Sequence, residues 1–218
     1  MDNITEVSFV PLTGSKYLTP LRMNYTQDGK AKVWDLMKSH SSVAIVIFNK
    51  TTKKFIFVKQ FRPAVFMSRA SAMTGEKMSV GSSIDTAVVR GEVGLTLELC
   101  AGIIDKDISL EEIAMEEVRE ECGYCVPVEN LHKIVTFPAG VGASGGTQTI
   151  FYVEVTSEEK VEEGGGVEEE GEMITVVEMG VEEVKKYLSQ ETVNSPIGLL
   201  FGVQWYLSNR YKASVGQE

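Results

Sequence analysis

Two glutamates sit where a helix should be apolar, and that contradiction limits the folds open to this chain. Ser109-Leu110-Glu111-Glu112 is a capping box, with a Ser N-cap and a Glu three residues on, and Gly123 stands where a helix commonly stops in the left-handed conformation. The spacing therefore predicts a helix over Ser109–Cys122. At about 100° per residue from Leu110, the residues Ile113, Ala114, Val118 and Cys122 define an apolar arc from about 300° through zero to about 120°. Glu117 and Glu121 fall at about 340° and about 20°, in the middle of that arc, and Glu120 at about 280°, on its edge. Glu112, Glu116 and Arg119 fall outside it, where a solvated charge is expected. A buried carboxylate costs several kcal/mol unless it is paired or bound to a cation. Either the helix packs through a narrower stripe and the glutamates reach water at a cleft, or they hold a cation. The neighbouring base, Arg119, points away, so a divalent cation is the economical explanation. Hard oxygen ligands select Mg²⁺, Mn²⁺ or Ca²⁺ over zinc.

Composition agrees with a packed domain built around such a site. The 218 residues are 43% hydrophobic and 24% charged, enough for one substantial domain with or without a small appendage. The formal charge of −10 is a poor match to nucleic acid or to an anionic membrane. The longest apolar run, Val43–Phe48, is too short to span a bilayer. No basic region followed by an apolar stretch opens the chain, and three cysteines do not suit a disulfide framework, so a cytoplasmic protein is expected. The acid is concentrated: twelve glutamates stand between Glu154 and Glu183 against one basic residue, Lys160. Such a run reads first as a solvated loop or face.

Short strands at Lys16–Tyr25 and Ala31–Met37, around the turn signal Gln27-Asp28-Gly29-Lys30, suggest a small β appendage over residues 1–40. The main domain is then expected over 41–218, beginning with a hairpin of Val43–Phe48 and Phe55–Phe61. Met67 to Gly94, rich in Ser, Gly, Met and Thr without a sustained period, reads as a long excursion. Further strands are expected at Thr96–Leu99, His132–Thr136, Thr147–Val155 and Met173–Met179, and helices at Val181–Ser189 and Ser195–Ser208. Strands come in runs and do not alternate regularly with helices, which predicts an α+β fold with a mixed or antiparallel sheet.

Gly102 through Tyr124, GIIDKDISLEEIAMEEVREECGY, resembles the Nudix box G-x5-E-x7-R-E-U-x-E-E-x-G-U, in which U is a bulky aliphatic residue. Gly102, Glu117, Val118, Glu120, Glu121 and Gly123 match in register. Ile108 stands where the box has its first Glu, and Glu116 where it has Arg, so an acid and a base are missing together. Val58-Lys59-Gln60-Phe61-Arg62-Pro63 is similar to the Q-[FY]-R strand end of the ADP-ribose/nucleoside-diphosphate-sugar branch. Glu98-Leu99-Cys100-Ala101-Gly102 resembles that branch's E-L-P-A-G entry, and Glu168-Glu169-Glu170-Gly171-Glu172-Met173-Ile174 its late acidic loop. The likeness covers roughly 43–207.

This resemblance implies a Nudix α/β/α sandwich with a mixed sheet, and a homodimer formed through the N-terminal appendage. It implies Mg²⁺-dependent hydrolysis of a nucleoside diphosphate sugar, with uridine diphosphate glucose as the expected substrate, ADP-ribose as the rival, and Mn²⁺ able to stand in for Mg²⁺. Carried over by position, Glu117, Glu121, Glu172 and the Ala101 carbonyl are expected metal ligands. Glu120 is a ligand or orienting group, Glu170 the general base, and Arg62 and Glu98 substrate contacts. Residues between Gly140 and Gln148 are expected to shape the sugar or nucleotide pocket.

Other motifs fail on context. Gly140-Val141-Gly142-Ala143-Ser144-Gly145 fits G-x-G-x-x-G, but a strand pattern follows it where a dinucleotide site needs a helix. Read as a P-loop, the same stretch has Gly146 in place of the essential Lys. Cys122 and Cys125 have C-x-x-C spacing without enough further ligands for zinc. His40 and His132 show no partner pattern. Two other functions fit the same residues: a degenerate box that binds nucleotide sugars without turnover, and an acidic interaction protein recruiting a basic partner through 154–183.

Overall fold

The structure is a computed structural model that describes residues 1–15 and 17–211, together with the backbone but not the side chain of Glu170. In chain order its strands are β1 (Val7–Ser8), β2 (Thr19–Gln27), β3 (Lys30–Lys38), β4 (Ser42–Asn49), β5 (Lys54–Phe61), β6 (Ser83–Ile84), β7 (Leu95–Glu98), β8 (Cys100–Ile103), β9 (His132–Pro138), β10 (Thr147–Val155) and β11 (Ile174–Gly180). The helices are α1 (Pro63–Thr74), α2 (Leu110–Cys122), α3 (Val181–Leu188) and α4 (Ile197–Asn209).

The central sheet runs β11-β5-β4-β10-β9, with β4 and β10 parallel and the other pairs antiparallel, the mixed sheet expected of an α+β chain. Both faces of β4 are covered, which explains its unbroken apolar run. Val43, Ile45 and Ile47 pack towards Ile113, Ala114 and Val118 of α2, whereas Ala44, Val46 and Phe48 pack towards Leu199, Val203 and Tyr206 of α4. The result is an α/β/α sandwich. Gly202 lets α4 lie close to the sheet, since a Cβ there would come within 2.6 Å of Val46 Cγ2.

One irregularity of this sheet positions the site. β4 and β5 pair only through Ile47–Asn49 and Lys54–Ile56, then splay apart. β7 fills the gap along β5 and β8 fills it along β4. Glu98, Ala101 and Gly102 therefore lie at the fork, where Ala101 N–H and Gly102 meet glutamates of α2.

Outside the sandwich, β2 and β3 form a separate two-stranded ribbon, shifted towards its turn on the first strand (Lys16 of the expected strand lies outside the described residues) and tied to the main domain by Met37 N–H donating to Ala143 O at 2.8 Å. Among the described residues, those before the ribbon do not pair with it. β1 pairs with β6, and Gly91 packs against Asp2 and Ile4.

The excursion expected over Met67–Gly94 is in part a helix. α1 occupies its first quarter, followed by β6 and a short 3₁₀ turn at Gly91–Gly94. Period-based reading misses α1 because it buries only Phe66 and Ala70 and leaves Met67 and Met73 exposed. Its punctuation was present: Pro63 opens the first turn, and Gly75 closes it with φ of 73°. The acidic run is not a single solvated loop either. Glu159 Oε2 accepts from Thr156 N–H at 2.6 Å and Glu183 Oε2 from Gly180 N–H at 2.7 Å, Glu154 accepts from Tyr152 Oη at 2.8 Å, and Glu162 pairs with Arg119.

Candidate active site

α2 forms as its sequence dictates. Ser109 Oγ accepts from Glu112 N–H at 3.2 Å, Glu112 Oε2 accepts from Ser109 N–H at 2.8 Å, and Gly123 ends the helix with φ of 78°. Ile113, Ala114, Val118 and Cys122 are buried, and Glu121 is buried among them at 2% exposure. The narrower-stripe alternative therefore fails for Glu121. Its Oε2 accepts from Ala101 N–H at 2.8 Å. Burial pushes this carboxyl up to about 8, and the Glu117 and Glu172 carboxylates push the same way, against the pull of the Ala101 N–H and the Cys100 thiol. Glu117, partly buried, lies against Gly102, where any Cβ would overlap its carboxylate. The box glycine is thus a space requirement of the glutamate on the facing helix.

The late acidic loop reaches the same place by a route the motif reading missed. Gly164, Gly165 and Gly166 all have positive φ, at 76°, 118° and 83°. Gly165 N–H donates to Glu121 O at 2.9 Å and Gly166 N–H to Glu120 O at 3.0 Å, satisfying carbonyls at the end of α2. Glu172 then folds back over Gly166, its Oε2 accepting from Val167 N–H at 2.9 Å. The Gly-Gly-Gly run next to the glutamates was the available signal. Glu170 lies in the 3₁₀ turn Glu168–Glu170, and its side chain is outside the described set.

At the end of β5, Arg62 and Glu98 form a fork-to-fork pair, with Nε to Oε1 and Nη2 to Oε2 both 2.7 Å. Thr96 Oγ1 donates to Glu98 Oε1 at 2.5 Å. Glu98 is 8% exposed against 45% for Arg62, so the arginine faces the opening and the glutamate stands behind it. The Arg62 guanidinium is held above its usual range, first by the hydrogen bonds to Glu98 and then by the fields of Glu121 and Glu172. Arg62, Glu98, Glu121, Glu172, Ala101 and Glu117 are thereby brought together. Glu120, one residue before Glu121 on α2, lines a cavity of about 540 Å³ with Lys106, Arg119 and Cys125.

The two departures in the box are compensated locally. Ile108 is exposed, and Glu116 accepts from Lys106 Nζ at 2.5 Å. A base on the loop and an acid on the helix tie the two together, the reverse of the box's usual polarity.

The carboxylates of Glu117, Glu121 and Glu172 and the Ala101 carbonyl, the ligands the sequence suggested, are all hard oxygen donors. Among the described residues no three His, Cys, Asp or Glu side chains converge into a ready-made metal cluster. The set nevertheless fits a divalent cation. Glu121 is a buried carboxylate whose ionisation the surrounding protein opposes, and a cation would reverse that. One cavity reaches the group, and a second is joined to the first at Pro196. The first, of about 470 Å³, contains Arg62, Thr96 and Glu98. The other, of about 840 Å³, lies between loop 139–143, Phe137, Gln148 and the start of α4, where Ile197 and Phe201 make it apolar.

A sandwich carrying a capped loop–helix–loop, with glutamates on its inner face opposite a glycine, is the architecture of a Nudix hydrolase. Among curated proteins the chain is 37% identical over 213 residues to the uridine diphosphate glucose pyrophosphatase NUDT14 of Bos taurus, covering 95% of this chain and 96% of that one. It is 36% identical over 214 residues to the protein of the same description from Mus musculus, again over 95% and 96%. A GDP-mannose pyrophosphatase of Cronobacter sakazakii is 29% identical over 156 residues, 70% of this chain and 66% of the relative. No family model matches the chain. The chain belongs to the Nudix hydrolase family, and within it shares nearly its whole length with proteins described as uridine diphosphate glucose pyrophosphatases.

Proposed function

We propose that this protein hydrolyses the diphosphate bond of a nucleoside diphosphate sugar, converting uridine diphosphate glucose to uridine monophosphate and glucose 1-phosphate with Mg²⁺, which Mn²⁺ can replace. The observation that carries the reading is the buried Glu121 carboxylate, beside Ala101, Glu117 and Glu172, in a chain that aligns end to end with enzymes of that description.

Glu117, Glu121, Glu172 and the Ala101 carbonyl would hold the cation. When bound, it neutralises diphosphate charge and stabilises the attacking and leaving oxygens. Arg62, with its guanidinium planar and partly open, binds the diphosphate, and Glu98 fixes its orientation from behind. Glu170 takes the proton from the attacking water, and Glu120, on the flank of α2, orients the helix end. Gly102 keeps Glu117 close to the strand. Phe137, Ile197 and Phe201 suit the flat face of a base.

The ribbon β2–β3 leaves Leu21, Met23, Val33 and Trp34 exposed. A two-stranded ribbon is marginal alone, which supports a homodimer built on it. Among the described residues Cys100, Cys122 and Cys125 are free thiols and no helix is long and apolar enough to cross a membrane. A cytoplasmic site of action is in keeping with both.

The variants Glu121→Gln and Glu117→Gln test the assignment. Each should lose at least about a thousandfold in turnover while keeping the native circular dichroism spectrum. Turnover within tenfold of the parent would refute the ligand role.

A further inference from the structure

The cleft that begins at Arg62 and Glu98 has a second wall, formed by Arg69 of α1 and by Asn194 and Ser195 ahead of α4. Its groups are held in place from behind. Arg69 Nη1 donates to Val93 O at 2.8 Å and Nη2 to Asn194 Oδ1 at 2.5 Å. Asn194 O accepts from Leu97 N–H at 2.9 Å, which lays this residue alongside β7, between Thr96 and Glu98. Ser195 Oγ shares a 2.8 Å hydrogen bond with Tyr187 Oη.

An amide side chain has one accepting oxygen and a donating NH₂. With Oδ1 occupied by Arg69, the Asn194 amide has a fixed orientation and keeps its NH₂ as a donor. Arg69, Asn194 and Ser195 line the same space of about 470 Å³ as Thr96 and Glu98, so donors and acceptors share one cavity. A ring of hydroxyls, each both donating and accepting, needs such an arrangement. The neighbouring 840 Å³ cavity is apolar and does not provide it. A nucleoside diphosphate sugar is asymmetric in the same sense, with a flat base at one end and a hydroxylated ring at the other.

We infer that the cleft between α1 and Asn194–Ser195 takes the sugar of the substrate, and that Asn194, positioned by Arg69, determines specificity for a sugar at that end. The assignment rests on the nucleotide-sugar reading above. Arg69 acts through Asn194 and is a positioning residue.

Affinity measured by calorimetry with chelator present, so that no turnover occurs, tests this directly. The probes are uridine diphosphate glucose and the methyl ester of uridine diphosphate, which keeps the base and diphosphate and lacks the sugar. The parent should bind the glucose compound about tenfold more tightly, the worth of one or two hydrogen bonds. Asn194→Ala should bring that ratio close to one and leave the methyl ester Kd within twofold. Arg69→Met should do the same, and the double variant should be no worse than either single one, since the two residues act as a unit. A ratio unchanged in the variants, no preference in the parent, or equal weakening towards both ligands would overturn the assignment. Since the ratio is read without turnover, absence of Mg²⁺-dependent hydrolysis would overturn the proposed reaction and leave this result standing.

Discussion

Replacing Glu121 with glutamine should make the metal-free protein more stable, and the size of the gain follows from the site. The carboxyl is carried from 4.5 in the unfolded chain to about 8 in the folded one, mainly by burial. A group with a raised folded value holds its proton more tightly in the native state. Its destabilising effect is absent below pH 4.5, grows through the window from 4.5 to 8, and is complete above it. Between those limits the effect amounts to about 3 kcal/mol at pH 7 and about 5 kcal/mol well above pH 8. Glutamine keeps the acceptor for Ala101 N–H and never ionises, though its amide must still be desolvated. The net gain should be about 2–4 kcal/mol at pH 8, a Tm rise of roughly 5–10 °C, shrinking to about 1 kcal/mol or less near pH 5. Urea unfolding of parent and variant with chelator, at pH 5 and pH 8, measures both numbers. Added Mg²⁺ should raise the parent and leave the variant unchanged. A variant less stable than the parent at pH 8, with the same dependence on pH, would show that Glu121 is well solvated or paired, and the reasoning from burial would fall.

Three other perturbations separate the parts of the site. Gly102→Ala places a methyl into the Glu117 carboxylate, so turnover should drop at least tenfold for a stability loss of about 1–3 kcal/mol; unchanged kinetics would mean that Glu117 has room to move without consequence. Arg62→Lys keeps the charge and loses the fork, leaving one Glu98 oxygen without its donor. KM should rise about tenfold and stability fall by about 1–2 kcal/mol in urea titration, and an unaltered KM would remove Arg62 from the diphosphate site. Lys106→Ala breaks an exposed pair with Glu116, and thermal melts should register no more than about 1 kcal/mol. A larger loss would mean that the inverted pair holds the loop more firmly than its exposure implies.

The parts of this molecule that were legible in the sequence are those where periodicity and capping speak together. α2 carries its own start, stop and face, so angle alone places Glu121 on the inner side. The apolar run of Val43–Phe48 announced a strand. What stayed hidden depends on contacts between distant segments. Nothing local says that β4 and β5 separate after Ile47, yet that fork is what sets Glu98 and Ala101 beside α2. Arg62 could be assigned to substrate from its motif, but its fork-to-fork pairing with Glu98, 36 residues away, is visible only in three dimensions. The Lys106–Glu116 pair replaces a motif pair with a different one, which pattern matching registers as a loss. α1 was obscured because a helix packing through two residues leaves almost no period to read.

The central claim is that this Nudix chain cleaves a nucleotide sugar with a divalent cation. The most direct test is product release from uridine diphosphate glucose, ADP-ribose and diadenosine polyphosphates, run with Mg²⁺ and again with chelator. The account predicts uridine monophosphate and glucose 1-phosphate in the presence of Mg²⁺, neither with chelator, and slower release from the other substrates. Folded protein that forms no product from any of them would contradict it, and the chain would then be a binding module on a Nudix scaffold.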